Sequence, residues 1–173
     1  VKNKPIYKYI YKKLNAPKKI IIINDKFKRH IDNKQFKIFQ IKKTNSLFQT
    51  ISLSKNLLLS KSNFFLTSCD CFGVFDRKEL AKKINNKKVD IIFFAFKYSN
   101  LQKNLDNSHT QLKIKRKELY DIKVKEKYNN SNLGHAGFFW IRKGDVFSHL
   151  LKFQSSNYYK TINREIIIDD YFK

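Results

Sequence analysis

Asp70 closes a short apolar run, Asn63-Phe64-Phe65-Leu66-Thr67-Ser68-Cys69-Asp70, and a turn through Cys71-Phe72-Gly73 follows it. Open α/β sheets bind ligands outside the carboxyl ends of their strands. A carboxylate released there can hold a divalent cation against phosphates; the same Asp could equally cap the turn behind it. Three other groups have suitable chemistry. Thr44 to Thr50 (TNSLFQT) enters a helix after a strand, Glu126-Lys127 ends an alternating segment ahead of Gly137-Phe138-Phe139, and Asp169-Asp170 follow Ile166-Ile167-Ile168. Each has a plainer role beside it. Glu126-Lys127 could be two charges in a Lys-rich turn, Gly137 could serve close packing inside a strand, and Asp169 and Asp170 could cap a helix.

These residues need elements to hold them. Pro5 to Leu14 has helical apolar spacing, with Pro5 acceptable in the first turn. Lys19 to Asn24 is a branched run of the kind found in buried parallel strands. Phe36 to Ile41 reads as a strand, and Ser46 to Leu59 as a helix capped by Thr44 or Ser46. Phe64 to Ser68 is a strand, Asp76 caps a helix facing inward through Leu80, Ala81 and Ile84, and Val89 to Phe96 is the strongest strand. This alternation predicts an α/β fold with a mostly parallel mixed sheet flanked by helices on both faces. Beyond Asn100 the texture changes. Gln111 to Ile114 and Leu119 to Lys125 predict a hairpin, Gly137 to Arg142 a strand and Asp145 to Phe153 a helix. Trp140, Phe138 and Phe139 read as core.

Composition bounds the partners. At 173 residues the chain is one domain by length, with 42% hydrophobic residues, enough for a packed core. No apolar run approaches a membrane span, and the basic N-terminus lacks a signal-peptide core, so cytoplasm is the default location and no membrane partner is expected. The net charge of +23 rests almost wholly on lysine, since Arg29, Arg77, Arg116, Arg142 and Arg164 are the arginines. Lys, Asn, Ile, Phe and Tyr are abundant together, which looks like an A+T-rich coding sequence. Nucleic acid is therefore not the favoured partner, although a basic nucleic-acid-binding protein is a rival reading. Cys69 and Cys71 cannot easily bridge to each other and do not complete a zinc site, so reduced structural thiols are expected.

In order and spacing, these motifs resemble the sugar-phosphate nucleotidyltransferases, which join a nucleoside triphosphate to a sugar 1-phosphate. Thr44 to Thr50 is similar to the family's T-x-G-x-x-x-T segment, and Asp70 to its metal-binding Asp at a strand end. Glu126-Lys127 followed by Gly137 resembles a Glu-Lys pair ahead of a G-x-Y/F strand. Glu165 to Asp170 resembles a run of Glu, apolar residues and a second Asp, and Asn3-Lys4-Pro5-Ile6 the family's G-K-P-(M/I). The resemblance implies a GT-A-like three-layer sandwich with Mg²⁺ held by Asp70 and Asp170. It places Glu126 at the sugar hydroxyls, Lys127 at the phosphate as the catalytic cation, backbone groups of Gly137 at the sugar, and Thr44 and Thr50 near the nucleotide. The implied partners are a nucleoside triphosphate and a sugar 1-phosphate, and a homo-oligomer is compatible with it. The chain departs from the family in lacking the G-x-G-(T/S)-R loop and its P-K, and Ser46 stands where the Gly of T-x-G belongs. The expectation is a single nucleotidyltransferase-like domain truncated at both ends. A GT-A glycosyltransferase and an inactive scaffold are the other readings.

Overall fold

The computed structural model describes residues 5–14, 18–31, 36–68, 71, 73–98, 110–116, 118–126 and 133–173. It forms two compact units, one of Val1–Lys61 with Gly144–Ile167, the other of Ser62–Lys143 with Ile168–Lys173.

The first unit opens with α1 (Ile6–Leu14), then β1 (Ile20–Asn24), a 3-10 turn (Asp25–His30) and β2 (Lys37–Ile41). β1 and β2 pair in parallel, Ile20 opposite Lys37 through Asn24 opposite Ile41, the pairing that the branched run of β1 suggests. Helix α2 (Leu47–Leu53) starts where Ser46 turns extended and its side chain accepts from Gln49 N. The Gln49 side chain reaches back to Asn45 N at 2.8 Å, so Ser46 and Gln49 work as a near capping box. The expected single helix divides at Ser54 into α2 and α3 (Lys55–Leu59). Ser54 is fully buried, and its Oγ donates to Thr50 O at 2.8 Å, competing with the helical ladder. After a 3-10 turn (Gly144–His149) come α5 (Leu150–Gln154) and α6 (Asn157–Thr161). Phe48 of α2 packs on Phe153 and Tyr159, with ring centroids 5.4 and 6.0 Å apart. Gly144 sits against the carbonyl of Leu58, where a Cβ would not fit.

The second unit contains β3 (Ser62–Thr67), α4 (Arg77–Asn85), β4 (Ile91–Lys97), β5 (Gln111–Lys115), β6 (Glu118–Lys123), β7 (Leu133–Lys143) and α7 (Ile168–Phe172). Here the expectation of a mostly parallel sheet is corrected. Every described pairing in this sheet is antiparallel. β3 and β4 run in the same direction, as a β-α-β unit requires, but β7 lies between them. Phe139, Trp140 and Ile141 face Leu66, Phe65 and Phe64 across one edge and Phe93, Ile92 and Ile91 across the other. An eleven-residue strand from later in the chain thus takes the central place. It can do so because its two long edges satisfy both neighbours and its side chains are buried on both faces. Trp140 and Phe139 are each 1% exposed and Ile141 is fully buried.

Two aromatic layers result. Phe65, Phe94 and Phe138 meet on one face (Phe94 to Phe138, 4.3 Å), where Phe75, just ahead of α4, joins them. Phe93 and Phe139 line the other face, covered by Phe172 of α7 at 5.6 and 5.5 Å. Asp76 caps α4 by accepting from Lys78 N and Glu79 N. Arg142 fastens the end of α4 to the sheet, donating to Ile84 O, Asn86 O and Val89 O at 2.6–2.9 Å.

Candidate active site

The residues singled out by sequence fall in both units. In the first, Thr44 and Thr50 meet, with their hydroxyl oxygens 2.7 Å apart. Thr50 Oγ1 also lies 3.2 Å from Ser46 O and donates to it. A threonine hydroxyl has one proton, so Thr44 is the donor between the two. Both hydroxyls therefore brace the entry to α2, and Gln49 is committed to Asn45.

In the second unit, Gly137 lies inside β7 rather than at its start, at φ +66°. An L side chain rarely adopts that backbone conformation, whereas glycine does so freely. The register between β4 and β7 slips there: three residues of β4, Phe93 to Ala95, lie opposite five of β7, Phe139 to His135. Such a bulge turns local backbone groups out of the ladder. Gly137 also backs onto the end of β3. A Cβ placed on it would lie 2.5 Å from Cys71 Sγ and 3.8 Å from Ser68 Oγ. Ser68 and Cys71, whose Oγ and Sγ are 2.8 Å apart, flank Asp70 in the sequence. Asp70 itself, like Cys69 and Lys127, lies outside the described residues. Glu126 follows Lys125, which has φ +53°, and is half exposed with Oε1 3.6 Å from Lys173 Nζ.

Asp170 is in the first turn of α7 and 1% exposed. Mg²⁺ binds at about 2.0–2.1 Å and keeps several waters. No three His, Cys, Asp or Glu side chains gather among the described residues.

The neighbouring Asp169 shows what sequence reasoning missed. Its Oδ2 accepts from Thr110 Oγ1 at 2.8 Å, and its Oδ1 is 2.7 Å from His135 Nδ1, off the axis of the ring N–H. His135 Nε2 lies 3.2 Å from the carbonyl oxygen of Phe138. The sequence signal was there: a histidine and a glycine two residues apart inside an otherwise apolar strand.

No family model matches this sequence, and no curated protein matches it significantly. Solved structures do match its fold. An inositol-1-phosphate CTP transferase from T. maritima superimposes with a TM-score of 0.66 at 13% identity, over 96% of this chain and 66% of that one. A nucleoside-diphosphate-sugar pyrophosphorylase from Vibrio cholerae gives 0.64 at 13% identity, over 97% and 70%. A Bacillus anthracis protein described as a glucose-1-phosphate thymidylyltransferase, in complex with a sucrose, gives 0.62 at 12% identity, over 82% and 58%. The chain has the fold of the sugar-phosphate nucleotidyltransferases. It spans roughly three fifths to seven tenths of the length of these proteins. Among its described residues no helix is long and apolar enough to cross a membrane.

Proposed function

We propose that this chain belongs to a protein that joins a nucleoside triphosphate to a sugar 1-phosphate, giving a nucleotide sugar and pyrophosphate. The observation that carries the reading is the positive-φ glycine, Gly137, set against the end of β3 in a fold shared with nucleotidyltransferases. Backbone groups released from the ladder there are suited to sugar hydroxyls or phosphate oxygens, because glycine adds no side chain of its own beside them. In the transfer, an oxygen of the sugar phosphate attacks the α-phosphorus. A new P–O bond forms as the bond to the bridging oxygen of the β-phosphate breaks, and pyrophosphate leaves with that electron pair. Lys127 is proposed to neutralise charge beside the reacting phosphates as a point cation, and Glu126 to accept from sugar hydroxyls. Thr44 and Thr50 are proposed to shape the helix entry near the nucleotide, with Thr50 offering lone pairs only. Asp70 is proposed as the carboxylate nearest the phosphates, and the ligand of any cation they carry.

The test is an assay of pyrophosphate release with each nucleoside triphosphate paired with a panel of sugar 1-phosphates, alongside calorimetric titration of the same compounds and of nucleotide sugars. Pyrophosphate release with one pair is expected. Absence of binding to every nucleotide and nucleotide sugar overturns the reading, and turnover of a nucleotide sugar without pyrophosphate release points to glycosyl transfer instead.

A further inference from the structure

The second unit buries a polar chain in its most apolar layer. Thr110 Oγ1 donates to Asp169 Oδ2 (2.8 Å), Asp169 Oδ1 lies in close contact with His135 Nδ1 (2.7 Å) without an aligned hydrogen bond, and His135 Nε2 lies 3.2 Å from Phe138 O. The side chains of His135 and Asp169 are 1% and 7% exposed. The imidazole is packed against Phe93 and Phe139, with ring centroids 5.3 and 4.4 Å away. Its own backbone N–H donates to Thr110 O at 2.7 Å. Ring and main chain of His135 are thus held from several directions.

Such a cluster needs a reason. Burying charged or polar groups costs desolvation, and apolar residues of equal volume are often as stabilising or more so. What the polar chain adds is geometry. His135 reaches over Ala136 and Gly137 to the carbonyl of Phe138 and brackets the two residues where β7 departs from its regular register. A glycine at φ +66° has other backbone states open to it. A fixed carbonyl just beyond it removes most of them.

We propose that His135 and Asp169 are positioning residues, a brace from the first turn of α7 to the Gly137 bulge that presets its backbone for the sugar phosphate. The substrate half of this rests on the function proposed above; the brace itself does not. Small misplacements of positioned groups are costly, with about a 1 Å error worth as much as 100-fold in rate. The brace therefore acts on the sugar-phosphate side and leaves the nucleotide side alone.

The experiment compares the wild-type chain with His135→Phe, Asp169→Asn and Thr110→Val. Amide hydrogen exchange is read over residues 133–139 and, as an internal reference, over β3 and α4. KM is measured separately for the sugar 1-phosphate and the nucleoside triphosphate. In His135→Phe, exchange at residues 136–138 is expected to rise about tenfold or more while the reference segments stay within about twofold. KM for the sugar phosphate rises about tenfold with that for the nucleotide unchanged. Asp169→Asn, which keeps the shape and one acceptor oxygen, lies between His135→Phe and wild type. Should His135→Phe fail to fold, His135→Gln carries the same comparison, and Thr110→Val reports loss of the outermost bond alone. Uniform loss of protection across the unit, or none at residues 136–138, overturns the brace. Local exchange that rises in a protein binding neither substrate upholds the brace and defeats the nucleotidyl-transfer reading.

Discussion

Replacing Gly137 with alanine tests two separate claims about this position, its backbone conformation and its contact with the turn after β3. At φ +66° an L residue is in the left-handed region, which costs about 1–2 kcal/mol. The added methyl would also lie 2.5 Å from Cys71 Sγ, closer than real Cβ contacts come, with the Cys71 Cβ behind it at 3.5 Å. Relieving that overlap means rotating Cys71 off its 2.8 Å contact with Ser68 Oγ or shifting the bulge, an overpacking cost of about 1–3 kcal/mol. Gly137→Ala should therefore destabilise by about 2–5 kcal/mol in all, lowering Tm by about 5–15 °C for a chain of this size. The only tryptophan, Trp140, is 1% exposed in the same strand, so urea unfolding followed by its fluorescence reports on this unit. The double variant Gly137→Ala with Cys71→Ala removes the sulfur but leaves φ unchanged, and only ordinary contacts at 3.5 and 3.8 Å remain. It should recover the overpacking share and leave about 1–2 kcal/mol, a coupling readable in a double-mutant cycle. A Gly137→Ala variant as stable as wild type refutes the backbone argument. A cost that Cys71→Ala does not reduce refutes the contact argument.

Three further outcomes follow from the same structure. Asp76→Ala removes the acceptor of Lys78 N and Glu79 N and should cost about 1 kcal/mol in thermal unfolding, with Asp76→Ser retaining most of it. Arg142→Lys cannot reach three carbonyls with one ammonium, so unfolding should be easier by about 1–3 kcal/mol, although the charge is kept. Asp70→Ala should abolish pyrophosphate release at unchanged Tm. Asp170→Ala, emptying a position 1% exposed, should lower Tm first, by a stability loss of about 1–3 kcal/mol; equal Tm values for the two variants would count against that division.

The local elements of this protein are legible in its sequence because their causes are local. Ser46 and Asp76 start helices by accepting from backbone N–H groups two or three residues on. The apolar run from Ile20 to Ile23 makes a strand wherever it is placed, and the hairpin of β5 and β6 closes on its own turn. Trp140, Phe138 and Phe139 are core by composition alone, and the structure buries all three. Partner choice is another matter. Nothing in Phe64 to Thr67 or in Ile91 to Lys97 says that β7 will come between them, because that depends on which edges remain unsatisfied once the whole chain has collapsed. Parallel pairing was inferred from element order, and the late arrival of β7 reversed it. The polar cluster is non-local too, with Thr110 and Asp169 meeting across 59 residues. The meeting of Asp169 with His135 likewise needed the fold, since the turn of α7 brings that carboxylate to the ring. Glycine at position 137 permits a positive φ; only the closing of β3, Cys71 and the His135 brace around it requires one.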